Sequence, residues 1–245
     1  MRQHSSGFYL GIAAAIILGF GVVAGIVIGL RSDQGLGYEP NVLQAIKTGP
    51  NSATLQLATY PDSHVCHADA GALQYNWVTY CSGGSDPTAQ GTTLEVPPNS
   101  VITVIIKQYD SATSLINDYF RQVRGTIGGV ALLNNKPYSE VDATAPGHTF
   151  TLQSTPDSPY PIFVSVPLVG VKSGAAANVT INGSSYPTPN IISFQFKTGP
   201  AGITYIWHCY DPCGDSVFAR KPPYGFSGPM STTGFMAGTM TVASY

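Results

Sequence analysis

The last third of the chain contains residues of the types that bind soft metal ions. Cys209 ends an apolar run with the sequence GITYIWHC, Cys213 follows four residues later, and Met236 precedes the final apolar run. His148 opens another such run, in the sequence PGHTF. A thiolate, an imidazole and a thioether supplied from the ends of strands form a ligand set that suits copper, with methionine as a weak axial ligand. The spacing therefore predicts a copper site built from these four residues.

A second interpretation stays open for the two cysteines. Cysteines four residues apart on a loop can come within the Cα separation of about 4.4–6.8 Å that a disulfide requires. If they are oxidised, Cys209 and Cys213 cannot serve as thiolate ligands, and the domain would hold no copper. The sequence shows no Ser-His-Asp triad and no carboxylate pair at a spacing that would suggest hydrolysis, so a catalytic role is not expected.

The motifs around these residues resemble those of the cupredoxin family. His148-Thr149-Phe150 is similar to the H-x-F element on an internal strand that supplies the first histidine. PAGITYIWHC resembles the strand that ends in the copper cysteine, and the sequence GFMAGTMTV at 234–242 resembles the entry into the final strand. The C-x3-C-G spacing from Cys209 to Gly214 further resembles the subunit II domain of cytochrome c oxidases, which holds a two-copper centre. The resemblance covers about residues 90–245 and implies copper-dependent electron transfer in a respiratory chain.

The sequence departs from both ligand patterns of that family. Val217 and Arg220 stand where a two-copper centre has a histidine and a methionine. Between Cys209 and Met236, where a single-copper loop supplies a second histidine, the sequence has none and is about twenty residues longer. A standard two-copper centre is therefore not expected, and a standard single-copper site lacks one imidazole.

Other histidines of the chain are candidates for the missing ligand. His208 adjoins Cys209, but neighbours on a strand point to opposite faces, so the two cannot readily bind one ion. His64 and His67 could reach over from the N-terminal segment, although an ordinary loop with Cys66 in a disulfide explains them better. The incomplete pattern leaves open electron transfer, copper delivery from an exchangeable site, and a copper-free structural or accessory subunit of a membrane complex.

The elements that must position these residues are mainly β-strands. Short runs enriched in β-branched and aromatic residues are separated by clusters of Pro, Gly, Asn and Ser, which is typical of a β-sandwich. The predicted strands are 53–59, 92–96, 101–109, 148–153, 162–168, 178–181, 191–197, 204–209 and 239–243. In the run 191–197, Ile192, Phe194 and Phe196 alternate with polar residues and are expected to share one face. Together with the resemblance, this predicts a mainly β, cupredoxin-like Greek-key sandwich over residues 51–245.

Insertions are expected within this domain at about 61–90, 111–146 and 214–233. The first is loop-like and contains Cys66 and Cys81, for which we predict a disulfide that stabilises the fold by roughly 3 kcal/mol. In the second, Leu115, Tyr119 and Val123 lie at helical spacing and predict a short helix.

Residues 8–30 form an uncharged, apolar run. At 1.5 Å of rise per residue the run is roughly 35 Å long, enough to cross a hydrocarbon core of about 30 Å. A signal peptide would have a shorter apolar core, about 7–15 residues, ending at a small-residue cleavage site. The run therefore predicts a single transmembrane helix between a short cytoplasmic N-terminus at 1–7 and a tether at 31–50.

Charge and cysteine content indicate where the domain lies and what it contacts. The charges that flank the helix slightly favour a cytoplasmic N-terminus, and two local cysteine pairs favour an oxidising compartment, so the β domain is expected outside the membrane. Gly21, Gly25 and Gly29 form a ridge that either packs against another helix or reflects the high frequency of glycine in membrane helices. Only 10% of residues are charged, without clustered Lys and Arg, so no nucleic-acid partner is expected. The expected partners are the membrane and a respiratory complex or redox carrier.

Overall fold

The computed structural model describes residues 42–61, 79–82, 93–113, 115, 117–181, 183–211 and 236–245. Several predicted features lie outside these residues, namely the transmembrane helix 8–30 with Gly21, Gly25 and Gly29, the histidines His64 and His67, and the cysteines Cys66 and Cys213. Among the described residues, no helix is long and apolar enough to span a membrane.

Two β-sheets form a sandwich, and the main hydrophobic core lies between them. The first sheet has the spatial order β1 (Val42–Gln44), β5 (Thr93–Val96), β15 (Ala237–Val242), β14 (Thr204–His208), β9 (Pro146–Ser154) and β10 (Phe163–Val169). In it, β5 is parallel to both β1 and β15, and the other neighbours are antiparallel.

The second sheet has the order β2 (Ile46–Gly49), β3 (Ser52–Tyr60), β6 (Val101–Gln108), β13 (Asn190–Lys197), β7 (Ala131–Leu133) and β8 (Lys136–Tyr138), and β4 (Thr79–Ser82) also pairs with β3. Only the β3–β6 pair in this sheet is parallel among the pairs described. A separate hairpin consists of β11 (Ala177–Ile181) and β12 (Ser184–Pro187).

The alternation of apolar and polar side chains places the core between the sheets. In β13, Ile192, Phe194 and Phe196 are buried and face the first sheet, as predicted. Phe194 contacts Phe150 of β9, with ring centroids 5.5 Å apart, so the two inner faces meet directly. All the predicted strands are present, with ends within two residues of the predicted positions. The predicted mainly β sandwich is confirmed.

The stretch 31–50, predicted as a tether, contains strands at its C-terminal end. β1 pairs with β5 of the first sheet, and β2 pairs with β3 of the second. Between them Ala45 is buried, and its N–H donates to the Glu95 carbonyl at 2.8 Å. The segment is too short to show alternation, so pairing with distant strands, rather than its own pattern, makes it extended.

Two predicted insertions also differ in detail from the structure. Within 61–90, Thr79–Ser82 forms β4 instead of a loop, because β3 has an edge with which it can pair. The predicted helix in 111–126 is reduced to a 3-10 helix at Asp118–Arg121. Leu115 and Val123 donate their backbone N–H groups to the carbonyls of Ala143 and Ser139, respectively, and these long-range hydrogen bonds replace helical ones.

Candidate metal site

The site lies where the start of one inner strand meets the end of another. β9 and β14 are antiparallel neighbours, with His208 opposite Thr151. His148 therefore lies near the start of β9, beside Cys209, which directly follows β14. The histidine comes from the inner strand β9, and the cysteine follows β14, which pairs with the final strand β15, as the motifs predicted.

Cys209 is fully buried, and hydrogen bonds tie it to two other segments of the chain. Its Sγ accepts the backbone N–H of Thr149 at 3.3 Å. Its own N–H donates to the carbonyl of Met236 at 3.0 Å, which joins the end of β14 to the start of the final strand. The next N–H, of Tyr210, donates to the Thr149 hydroxyl at 2.7 Å. Thr149 thus fixes both the sulfur and the backbone that follows it.

His148 is also fully buried, and its ring lies between an acid and the thiol. The Nε2 atom lies 3.0 Å from Oδ2 of Asp110, and the ring also hydrogen-bonds to Cys209. Each ring nitrogen has one in-plane bonding direction, so engagement of Nε2 by Asp110 leaves Nδ1 to face the sulfur. Burial lowers the pKa of His148, but the hydrogen bonds and charges of Asp110 and Cys209 outweigh it and raise the pKa to about 9.

A second buried carboxyl group borders the site. Asp211 is fully buried, and its Oδ2 accepts the hydroxyl hydrogen of Thr113 at 2.9 Å. Burial and the nearby Cys209 raise the pKa of Asp211 to about 7. Sequence reasoning missed both Asp110 and Asp211. Asp110 could have been identified from its position directly after the predicted central strand 101–109. Asp211 could have been identified from its position between Cys209 and Cys213.

His208 faces away from the sulfur, as expected for a neighbour on a strand. Its ring lies over Tyr210, with centroids 3.9 Å apart, and Tyr210 stacks in turn on Phe120 at 4.4 Å. Burial lowers the pKa of His208. Trp207, which points inward, is fully buried and stacks on Phe150, so it belongs to the core beneath the site.

The donor atoms that the structure brings together fit copper chemically. A thiol and an imidazole are two of the donor types that bind copper, and here they are in contact and shielded from water. Met236 is buried in the same core cluster as Cys209, while Cys213, the fourth predicted ligand, lies outside the described residues. Within the part of the chain that the structure describes, no group of three or more His, Cys, Asp and Glu side chains is arranged to hold a metal ion. His148 and Cys209 are therefore the described pair on which a site would be built.

No protein-family model and no curated protein matches the sequence. Among solved structures, the chain is similar to auracyanin B, with 15% identity, coverage of 82% of this chain and 94% of that one, and a TM-score of 0.30. It is also similar to rusticyanin from Thiobacillus ferrooxidans, with 12% identity, coverage of 89% and 92%, and a TM-score of 0.34. Rusticyanin is a copper protein.

A haem-copper terminal oxidase dimer is a third similar structure, with 12% identity, coverage of 96% of this chain and 99% of that one, and a TM-score of 0.29.

Proposed function

We propose that this protein binds copper and transfers electrons. The contact between the His148 imidazole and the Cys209 sulfur, both fully buried at the end of the sandwich, carries the proposal. When bound, copper would supply one-electron exchange between Cu(II) and Cu(I). A redox role needs copper-binding donors that are shielded from water, and this pair supplies two of them, whereas the described residues offer no arrangement that suggests hydrolysis.

The surrounding residues suit such a role in three ways. The N–H of Thr149 points at Sγ and stabilises negative charge on the sulfur. Asp110 engages the far side of the imidazole. The stacked rings of Trp207 and Phe150, with centroids 5.9 Å apart, pack the core below and resist movement of the two strands. A site that is rigid before binding changes little between two oxidation states.

The proposed location is the outer face of a membrane, with residues 8–30 as the anchor and a respiratory complex or redox carrier as partner. The uncharged run and the low charge of the chain support this part of the proposal. Mass spectrometry of the native protein tests it. We expect an intact N-terminal region that retains residues 8–30, and a mature N-terminus near residue 30 would show a cleaved signal peptide instead.

Addition of Cu(II) to the purified full-length chain tests the proposed chemistry. We expect stoichiometric binding and an intense visible charge-transfer band from a cysteine thiolate. Cys209→Ser should abolish the band and His148→Gln should weaken or shift it. Cys66→Ser is the matched control, because that cysteine is predicted to form a disulfide with Cys81, and its band should equal that of the wild type. A change of the band in Cys213→Ser would add Cys213 to the ligands.

The second candidate function is that of a copper-free accessory subunit, which the absence of a histidine between Cys209 and Met236 favours. It predicts a Cys209–Cys213 disulfide, no stoichiometric copper uptake and no visible band before reduction. Thiol titration of the unfolded, unreduced chain separates the two candidates. Two reactive thiols support the copper protein, and none supports the subunit.

A further inference from the structure

Both carboxylate oxygens of Asp110 form hydrogen bonds with other groups of the chain. Oδ2 lies 3.0 Å from Nε2 of His148, and Oδ1 accepts the backbone N–H of Ser111 at 2.7 Å. The aspartate side chain is only 14% exposed, and that of the histidine is fully buried. A carboxylate held by one backbone group and directed at one ring nitrogen limits how that ring can rotate.

The backbone around Asp110 is itself fixed against the strands of the site. The Thr113 N–H donates to the carbonyl of Pro146 at 2.8 Å, and the Val171 N–H donates to that of Asp110 at 2.9 Å. These two hydrogen bonds tie the segment that follows β6 to the start of β9 and to the second residue beyond the end of β10.

Two glycines allow this close approach. A Cβ at Gly147 would lie 2.5 Å from the Ser111 carbonyl oxygen, and one at Gly170 would lie 2.3 Å from the Ala112 nitrogen. Both distances are shorter than real Cβ contacts, so the segment sits against the strands only because side chains are absent there. The position of Asp110 is therefore determined by packing on both sides.

We propose that Asp110 is the positioning residue of the metal site: it engages Nε2 of His148 and so directs Nδ1 at the Cys209 sulfur. The positioning role of Asp110 rests on the proposed copper function, whereas the hydrogen bond between Asp110 and His148 can be tested without metal. Histidine ligands commonly donate their second ring N–H to a carboxylate, which fixes the ring and strengthens the ligand. No sequence motif marked Asp110 for this role, since it lies 38 residues from His148.

Two variants of Asp110 separate the effect of its hydrogen bond on the His148 ring from the effect of its charge. Asp110→Asn keeps an acceptor oxygen for Nε2–H and removes the charge, whereas Asp110→Ala removes both. Asp157→Asn is the matched control, because Asp157 is an exposed aspartate away from these contacts. Circular dichroism and urea unfolding establish that each full-length variant is folded before it is compared.

The first measurement uses the copper-free full-length chain labelled with 15N-histidine. Long-range 1H–15N NMR should show a protonated, slowly exchanging Nε2 on His148 in the wild type, in Asp110→Asn and in the control. That signature should be lost in Asp110→Ala. A wild-type spectrum with an unprotonated or freely exchanging Nε2 would overturn the proposal without any variant, so a variant that fails to fold does not prevent the test.

The second measurement is Cu(II) affinity, followed by titration of the visible band. Asp110→Ala should weaken binding by about 10–100-fold. Asp110→Asn should lie closer to the wild type, and the control should match it. Unchanged Cu(II) affinity in Asp110→Ala would overturn the proposal. An equal loss of affinity in Asp110→Asn and Asp110→Ala would also overturn it, because the charge of Asp110 rather than its hydrogen bond would then be responsible. If the wild type binds no copper, the proposed copper function is wrong. The NMR comparison still tests the hydrogen bond between Asp110 and His148 in that case.

Discussion

Raising the pH should destabilise the copper-free chain through His148. Its pKa is about 9 in the folded protein and 6.5 in its ordinary state. Because the folded state holds the proton more tightly, the stabilisation is complete below 6.5 and is lost as the pH rises through about 9. A difference of about 2.5 pH units corresponds to about 3 kcal/mol of unfolding free energy. Between pH 6.5 and 9 the free energy of unfolding should therefore fall by up to about 1.4 kcal/mol per unit.

Asp211 should also make the free energy of unfolding fall as the pH rises, but at lower pH. Its pKa rises from 3.8 to about 7 on folding, because burial and the nearby Cys209 disfavour the charged carboxylate. Stability due to the protonated acid is therefore lost between about 4 and 7, mostly before the histidine titrates. Above pH 7, Asp211 therefore contributes little to the pH dependence.

Urea unfolding of the copper-free full-length chain at a series of pH values measures this effect. The comparison is with His148→Gln, which lacks the titrating ring but keeps a polar side chain. The difference in unfolding free energy between the two proteins should shrink steadily from pH 7 to 10. Asp110→Asn should reduce the wild-type slope, because the hydrogen bond that His148 donates to Asp110 is the largest contribution that raises the pKa of His148. Parallel curves for the wild type and His148→Gln would refute the reasoning.

Two substitutions test the packing around the site. Gly147→Ala should cost about 1–3 kcal/mol of unfolding free energy, because its Cβ would lie 2.5 Å from the Ser111 carbonyl oxygen. Gly129→Ala is the control, because Gly129 has a positive φ but open space around it. This substitution should cost only about 1–2 kcal/mol of backbone strain and should leave the Cu(II) band intact. An unaltered Cu(II) affinity in Gly147→Ala would contradict a close fit beside His148. Trp207→Ala should cost about 3–5 kcal/mol in urea unfolding, because the ring is fully buried in the core, and a loss below 1 kcal/mol would contradict that packing.

Strand positions could be read from the sequence because burial of one face requires alternation along a single strand. The run 191–197 shows this clearly, since its apolar residues face the other sheet as predicted. Short segments without alternation were misjudged. β1 and β2 lie in the predicted tether, and the predicted helix around Tyr119 is only a single 3-10 turn. In these places, hydrogen bonds to distant backbone decide the conformation.

The sequence by itself determined which side chains could do chemistry at the candidate site. His148 and Cys209 stood out because an imidazole and a thiol sit at the ends of two recognisable strands. Only the tertiary structure decided what surrounds them. Asp110 reaches the imidazole across 38 residues and Thr149 reaches the sulfur across 60, and neither contact leaves a local pattern. Such contacts depend on strand register and on close packing between segments, which arise only when the two sheets have formed.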